Sequence, residues 1–181
     1  MGALPRLAVI DLAGTTVVDG GQVPAAFSSA LAEAGIEVSA DQIANLRGSS
    51  KREAILRMMP EGPDRGERAA ATFEIFKRQL TDLYDSTGVR EIPGAREVFG
   101  WLRSKDVRVA LNTGFDREIT NLLLERLGWR EGVVDAVVCG DDVPDGRPAP
   151  YLIFRAMEAT GTHRVHDVAN VGDTLSDLGA G

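Results

Sequence analysis

Cysteine is almost absent from this 181-residue chain: Cys139 stands alone, so no intramolecular disulfide can form and a reducing cytoplasm is the natural compartment. Histidine is nearly as scarce. His163 and His166 share one polar stretch with no neighbouring ligands, which makes them solvated loop residues rather than a metal site. Positive charge is in deficit, with 20 Lys and Arg against 27 Asp and Glu and a net charge of −7. That balance argues against nucleic acid as a partner, because a nucleic-acid surface needs clustered cations. An anionic ligand would have to be met by local cations or a metal. No apolar run approaches the roughly 20 residues of a membrane span. Pro5 and Arg6 interrupt the start and Asp11 cuts short the first apolar run, so neither a signal peptide nor a membrane partner is expected. What remains, 44% hydrophobic and 26% charged residues without repeats, suffices for one soluble domain plus an insertion.

The organising stretch is Leu7-Ala8-Val9-Ile10-Asp11-Leu12-Ala13-Gly14-Thr15-Thr16. An uninterrupted apolar run rich in Val and Ile suits a strand buried on both faces of a parallel sheet. Asp11 falls where that strand surfaces, and ligands of open α/β sheets bind just beyond the strands' carboxyl ends. Gly14 lets backbone approach a ligand closely, and Thr15 and Thr16 can donate hydrogen bonds to an anion. The alternative for Asp11 is a cap on the following turn.

Residues 17–90 read as purely helical. Pro24 opens a helix with Phe27, Ala30, Leu31 and Ala34 on one face and Gly35 at its end. Ser39-Ala40-Asp41-Gln42 has capping-box spacing and starts a second helix with Ile43 and Leu46 inward, and Ser50-Lys51-Arg52-Glu53 repeats the device for a third with Ile55, Leu56 and Met59. Glu67 to Ser86 carries Ala69, Phe73, Phe76, Leu80 and Leu83 at helical intervals. From Ile92 onward helix and strand alternate. A helix with Val98, Phe99 and Leu102 precedes a strand at Val107–Leu111, Asp116 caps a helix ending at Gly128, and strands follow at Val133–Val138 and Val165–Val171. Such alternation implies right-handed crossovers and a parallel sheet. The expected fold is α/β: a Rossmann-like parallel sheet flanked by helices, formed by residues 1–16 and 91–181, with an all-helical cap inserted at 17–90.

Asp11, Thr113 and Asp173 each follow a strand, and Arg147 stands in a loop after another. In a parallel sheet these ends share one rim, so carboxylates, a hydroxyl and a cation converge there. That set suits phosphoryl transfer. Carboxylates with a backbone carbonyl and water fit octahedral Mg²⁺, which would let an anionic carboxylate approach an anionic phosphorus while Thr113 and Arg147 hold the equatorial oxygens.

In these motifs the chain resembles the haloacid dehalogenase superfamily. Asp11-Leu12-Ala13-Gly14-Thr15, Asn112-Thr113-Gly114, Arg147-Pro148 and Gly172-Asp173-Thr174-Leu175-Ser176-Asp177 occur in the superfamily's order. The resemblance implies a covalent aspartyl-phosphate on Asp11. It also implies Mg²⁺ held by Asp11, the Ala13 carbonyl and Asp173, with Asp177 in support, and substrate contacts from Gly14, Thr15, Gly48 and Gly114. For Thr174 and Ser176, helix capping and phosphate contact both remain open.

Typical phosphatases of this superfamily carry a second Asp two residues after the nucleophile, where this chain has Ala13. An alkyl group cannot protonate a leaving oxygen, a loss worth roughly 10²- to 10⁴-fold. The phrases Asp11-Leu12-Ala13-Gly14-Thr15-Thr16-Val17 and Asp142-Val143-Pro144-Asp145-Gly146-Arg147-Pro148 resemble the phosphonatase branch, phosphonoacetaldehyde hydrolase and its relatives. In that branch a cap lysine forms an imine with the substrate aldehyde and accepts the electrons of the breaking C–P bond. Lys51, in Gly48-Ser49-Ser50-Lys51, matches its place, and a first-turn position on a helix favours the free amine; the alternative is an exposed helix lysine.

Three departures from the branch accompany that match: Ala54 replaces a His, Arg47 a Met, and the region of Gln22 a Cys. Arg47 at the site would favour a second anionic group, as in phosphoglycolate. The chain ends at Gly181, where relatives continue through another helix and strand, and a sheet edge is expected to be uncovered. The leading expectation is a phosphonatase-like hydrolase of a small phosphonate or phosphate metabolite. A phosphoglycolate-type phosphomonoesterase and a non-catalytic phosphate-binding protein are the alternatives. The apolar faces of the cap helices are available to a homodimer.

Overall fold

A computed structural model of the chain describes residues 4–44 and 48–181; the expectations for Leu46 and Arg47 lie outside them. Four parallel strands, β1 (Leu7–Asp11), β2 (Arg108–Asn112), β3 (Ala136–Val138) and β4 (Val168–Val171), form one sheet in the order β3-β2-β1-β4. β1 is buried along its whole length, as its unbroken apolar run requires. β4, with only one neighbour, is half-buried.

Among the described residues, β1 is followed first by α1 (Gln22–Glu33), α2 (Ala40–Ala44), α3 (Lys51–Met58) and α4 (Arg65–Thr87). Pro24 falls in the first turn of α1, where a missing N–H costs nothing. The Ser39 box forms fully: Gln42 donates its backbone N–H to Ser39 Oγ at 3.2 Å, and Ser39 N–H reaches Gln42 Oε1 at 2.8 Å. The Ser50 box forms only half. Glu53 N–H reaches Ser50 Oγ at 3.4 Å, but the Glu53 carboxylate turns elsewhere. Phe27, Phe73 and Phe76 meet between α1 and α4, with ring centroids 5.9 and 6.0 Å apart.

The second half supplies α5 (Ala95–Arg103), α6 (Arg117–Leu127), α7 (Tyr151–Thr160) and α8 (Leu175–Ala180). Asp116 caps α6, accepting from Ile119 N–H at 3.1 Å, and Gly128 ends it. The sheet is covered on both faces. Ala8, Ile10, Val109 and Leu111 pack with Phe99, Ile119 and Leu123, while Leu7, Val9 and Ala110 pack with Leu152, Ile153 and Ala156. The first of these clusters continues without a break into Phe27, Phe73 and Leu80.

Several boundaries differ from expectation. β3 begins at Ala136 rather than Val133, because the Asp135 carboxylate and N–H both bind Val109 and fix the register there. Val165–Asp167 winds into a 3₁₀ turn that leaves Val165 outside the sheet. Leu56 and Val98 face solvent, since the buried stripes of their helices run through Ile55 and Met59, and through Ala95 and Phe99. On the edge formed by β4 and α8, Val171, Leu175 and Leu178 are exposed. No helix of the described residues is long and apolar enough to cross a membrane.

Candidate active site

Register puts the reactive groups together. Asp11 is the last residue of β1 and pairs with Asn112, the last of β2, so Thr113 follows at the same level as the loop after Asp11. The loop after β1 is closed by its own backbone. Thr16 and Val17 N–H both return to Leu12 O, and Thr16 Oγ1 donates to Asp11 O at 3.0 Å and Leu12 O at 3.1 Å. Thr16 is therefore spent on the turn rather than offered to an anion.

Among the described residues the Asp11 carboxylate caps no turn. It meets Arg147 Nη1 at 2.6 Å, and the same nitrogen binds Asp177, with all three side chains almost wholly buried. Burial pushes the Asp11 carboxyl up to about 6, helped by the Asp177 and Asp173 charges and opposed by Arg147. For Arg147 burial pulls downward, but Asp11 and Asp177 outweigh it and the guanidinium is held above its usual value. Asp11, Asp173 and Asp177 each offer a carboxylate oxygen within 4.8 Å of the others.

Gly14, with φ +96°, closes on Asp173: a Cβ there would lie 2.5 Å from a carboxylate oxygen. Thr15, expected to touch substrate, instead donates its hydroxyl to Asp173 at 3.3 Å and is not among the residues lining the cleft. Thr174 caps α8 and also borders the cleft. Thr113 accepts from Phe115 N–H at 3.2 Å, which leaves its hydroxyl proton for an oxygen in the cleft.

Lys51 opens α3 and is buried. Its ammonium donates to Ser49 O at 3.0 Å and lies 5.8 Å from the centroid of the Phe115 ring. The cleft is open to solvent on one side. Asp11, Ala13, Thr113, Gly114 and Arg147 line one side, and Gly48 and Lys51 enter from the helical half. Sequence reasoning missed the rest of the wall. Val23, Pro24, Phe27 and Ile43 face the cleft, with Asp19 beside them. Helical periodicity puts Phe27 and Ile43 on packing faces of amphipathic helices, and the same apolar faces border the opening.

A buried strand-end carboxylate, a hydroxyl, an arginine and a three-carboxylate cluster thus share one rim. The haloacid dehalogenase-like hydrolase family model matches residues 5–181. The chain belongs to that family. As a haloacid dehalogenase-like hydrolase it is 30% identical to a phosphonoacetaldehyde hydrolase of Syntrophobacter fumaroxidans over 97% of this chain and 68% of the relative. It is 29% identical to one of Paraburkholderia phytofirmans over 93% and 68%. Among solved structures, a phosphonoacetaldehyde hydrolase-like protein from Oleispira antarctica superposes with a TM-score of 0.82 at 23% identity, covering 99% of this chain and 71% of the other. A β-phosphoglucomutase from Clostridium difficile reaches the same TM-score at 16% identity over 98% and 80%, so the fold spans hydrolases and mutases alike.

Proposed function

We propose that this hydrolase cleaves the C–P bond of a small phosphonate bearing a neighbouring carbonyl, with Asp11 as nucleophile and Lys51 as electron sink. One observation carries the reading: Lys51 from the helical insertion lines the same cleft as Asp11, Thr113 and Arg147. The Lys51 amine condenses with the substrate carbonyl and water leaves. An Asp11 oxygen then attacks phosphorus, and the C–P electron pair passes into the iminium to give an enamine. Two waters complete the cycle, one hydrolysing the acyl phosphate on Asp11 and the other releasing the carbonyl product from Lys51. Ala13 suits this route, because carbon departs without an acid on oxygen.

The carboxylate cluster fits a hard divalent cation. Asp11, Asp173 and Asp177 each offer a carboxylate oxygen within 4.8 Å of the others, and hard cations such as Mg²⁺ prefer oxygen ligands. Asp11, Asp173 and Asp177 would hold Mg²⁺, with the Ala13 carbonyl as the family resemblance implies, and the ion would neutralise charge between nucleophile and phosphoryl oxygens. Arg147 keeps Asp11 oriented, Thr113 donates to a phosphoryl oxygen, and α1–α4 act as the cap that excludes water.

The apolar part of the described wall suits a neutral organic group. Among the described residues lining the cleft the cations are Lys51 and Arg147, and Arg147 is engaged by Asp11 and Asp177. Val23, Pro24, Phe27 and Ile43 offer a carboxylate nothing. The test is phosphate release with Mg²⁺ from 2-oxoethylphosphonate and from phosphoglycolate. Turnover of the phosphonate that Lys51→Ala abolishes is the expected result. Turnover of phosphoglycolate that survives Lys51→Ala would select the phosphomonoesterase instead, and binding without any turnover would select a phosphate-binding protein.

A further inference from the structure

We propose that Glu53 is a positioning residue: a carboxylate clasp that fastens the Lys51 helix to the loop carrying Arg147 and so sets where the Lys51 amine stands above Asp11. The inference rests on the reading of Lys51 given above. In a capping box the Glu53 carboxylate would turn back to its own helix start. Instead its Oε1 accepts from Gly146 N–H at 3.0 Å, across 93 residues of chain, while Oε2 meets Arg57 at 3.1 Å. Gly146 immediately precedes Arg147, whose guanidinium holds Asp11 and Asp177. A single carboxylate therefore links the lysine-bearing helix to the backbone beside the nucleophile's partner.

The seam around this clasp brings the start of α3 close to the rim loops. Lys51 N–H points at Gly114 O, 3.4 Å away, and a Cβ on Gly114 would lie 2.5 Å from Ser49 O. A Cβ on Gly146 would come within 3.1 Å of Ser50 Cβ. Glycine at 114 and 146 thus allows α3 to seat directly on two rim loops. The apolar side of the helix is held separately, by Ile55 in the core and by the Arg52 guanidinium 4.6 Å above the Phe73 ring. Loss of Glu53 should accordingly loosen the Lys51 end while leaving the packed end in place.

The test uses the full chain without substrate. Lys51 is labelled with trinitrobenzenesulfonate and followed by peptide mass spectrometry, with Lys105 as the reference in the same digest. Glu53→Ala should speed labelling of Lys51 relative to Lys105 about five- to tenfold, the change expected on losing one hydrogen bond. Glu53→Gln, whose amide oxygen still accepts from Gly146 N–H, should return the rate to that of the parent, and Arg57→Ala should leave it unchanged. Glu53→Asp keeps the charge but is one methylene too short to reach, so it should behave as Glu53→Ala and carries the test if the alanine variant does not fold. Unchanged labelling in Glu53→Ala or Glu53→Asp overturns the proposal, as does Glu53→Gln labelling as fast as Glu53→Ala. On 2-oxoethylphosphonate, Glu53→Ala should lower kcat with little change in KM, restored in Glu53→Gln. If the parent enzyme turns over no phosphonate, the functional reading fails while the labelling still decides the clasp.

Discussion

The rim of the sheet and the helical insertion contribute to the same cleft in opposite ways. On the rim, strand register and ion pairs set the reactive groups: Asp11 and Asn112 end paired strands, and Arg147, from a loop, is locked between Asp11 and Asp177. In the insertion, packing and site are shared by the same residues. Phe27 belongs to the aromatic cluster with Phe76 and borders the cleft as well, and α3 places Ile55 in the core and Lys51 at the opening. A rim specified by register can keep its chemistry while the helical wall varies.

The comparison can be broken most forcefully at the rim. Asp11→Asn should lower phosphate release by about 10⁴-fold or more, as loss of a nucleophile does, with substrate binding retained; residual turnover near that of the parent would place the nucleophile elsewhere. Asp173→Asn removes one of three clustered carboxylates and should weaken Mg²⁺ binding at least about 10-fold in calorimetry. Equal affinity would separate the cluster from the metal.

A subtler test uses the raised Asp11 carboxyl. Its native value near 6 exceeds the unfolded 3.8, so the native state binds the extra proton between those values. In metal-free buffer the Asp11 contribution to stability should therefore fall as pH rises from about 4 to 6 and then level off. Asp11→Asn should remove that part of the slope from urea midpoints, and an identical slope in the variant would contradict the assignment. The smallest effect is expected where the two regions touch through a partly buried ion pair. Lys77 on α4 pairs with Glu118 at 2.5 Å and lies 3.9 Å from Asp116, both at the start of α6. Lys77→Met should cost about 1 kcal/mol or less in urea unfolding, and several times that would mean the halves are held by charge rather than by their continuous apolar core.

Legibility in the sequence followed the same division. The strand-end groups could be named because an apolar run that stops at Asp11 or Thr113 signals both burial and position, and the run before Asp173 signals position alone. Alternation of helix and strand likewise carried the parallel sheet, and Ser39, Ser50 and Asp116 marked helix starts through their cap chemistry. What could not be read was the destination of a polar group with two partners in reach. Glu53 had the spacing of a local cap but binds Gly146, and Thr15 and Thr16 had the look of anion donors but serve Asp173 and the turn. The apolar wall was hidden for a different reason: periodicity shows that Phe27 and Ile43 face inward without distinguishing a core from a cleft.

The central claim, that Lys51 and the rim act on one substrate, is tested most directly by borohydride reduction in the presence of 2-oxoethylphosphonate and Mg²⁺, with the modified peptide located by mass spectrometry. A reduced adduct on Lys51, absent in Lys51→Ala and not found on Lys77 or Lys105, is the predicted result. Phosphate release without any adduct on Lys51 would contradict it.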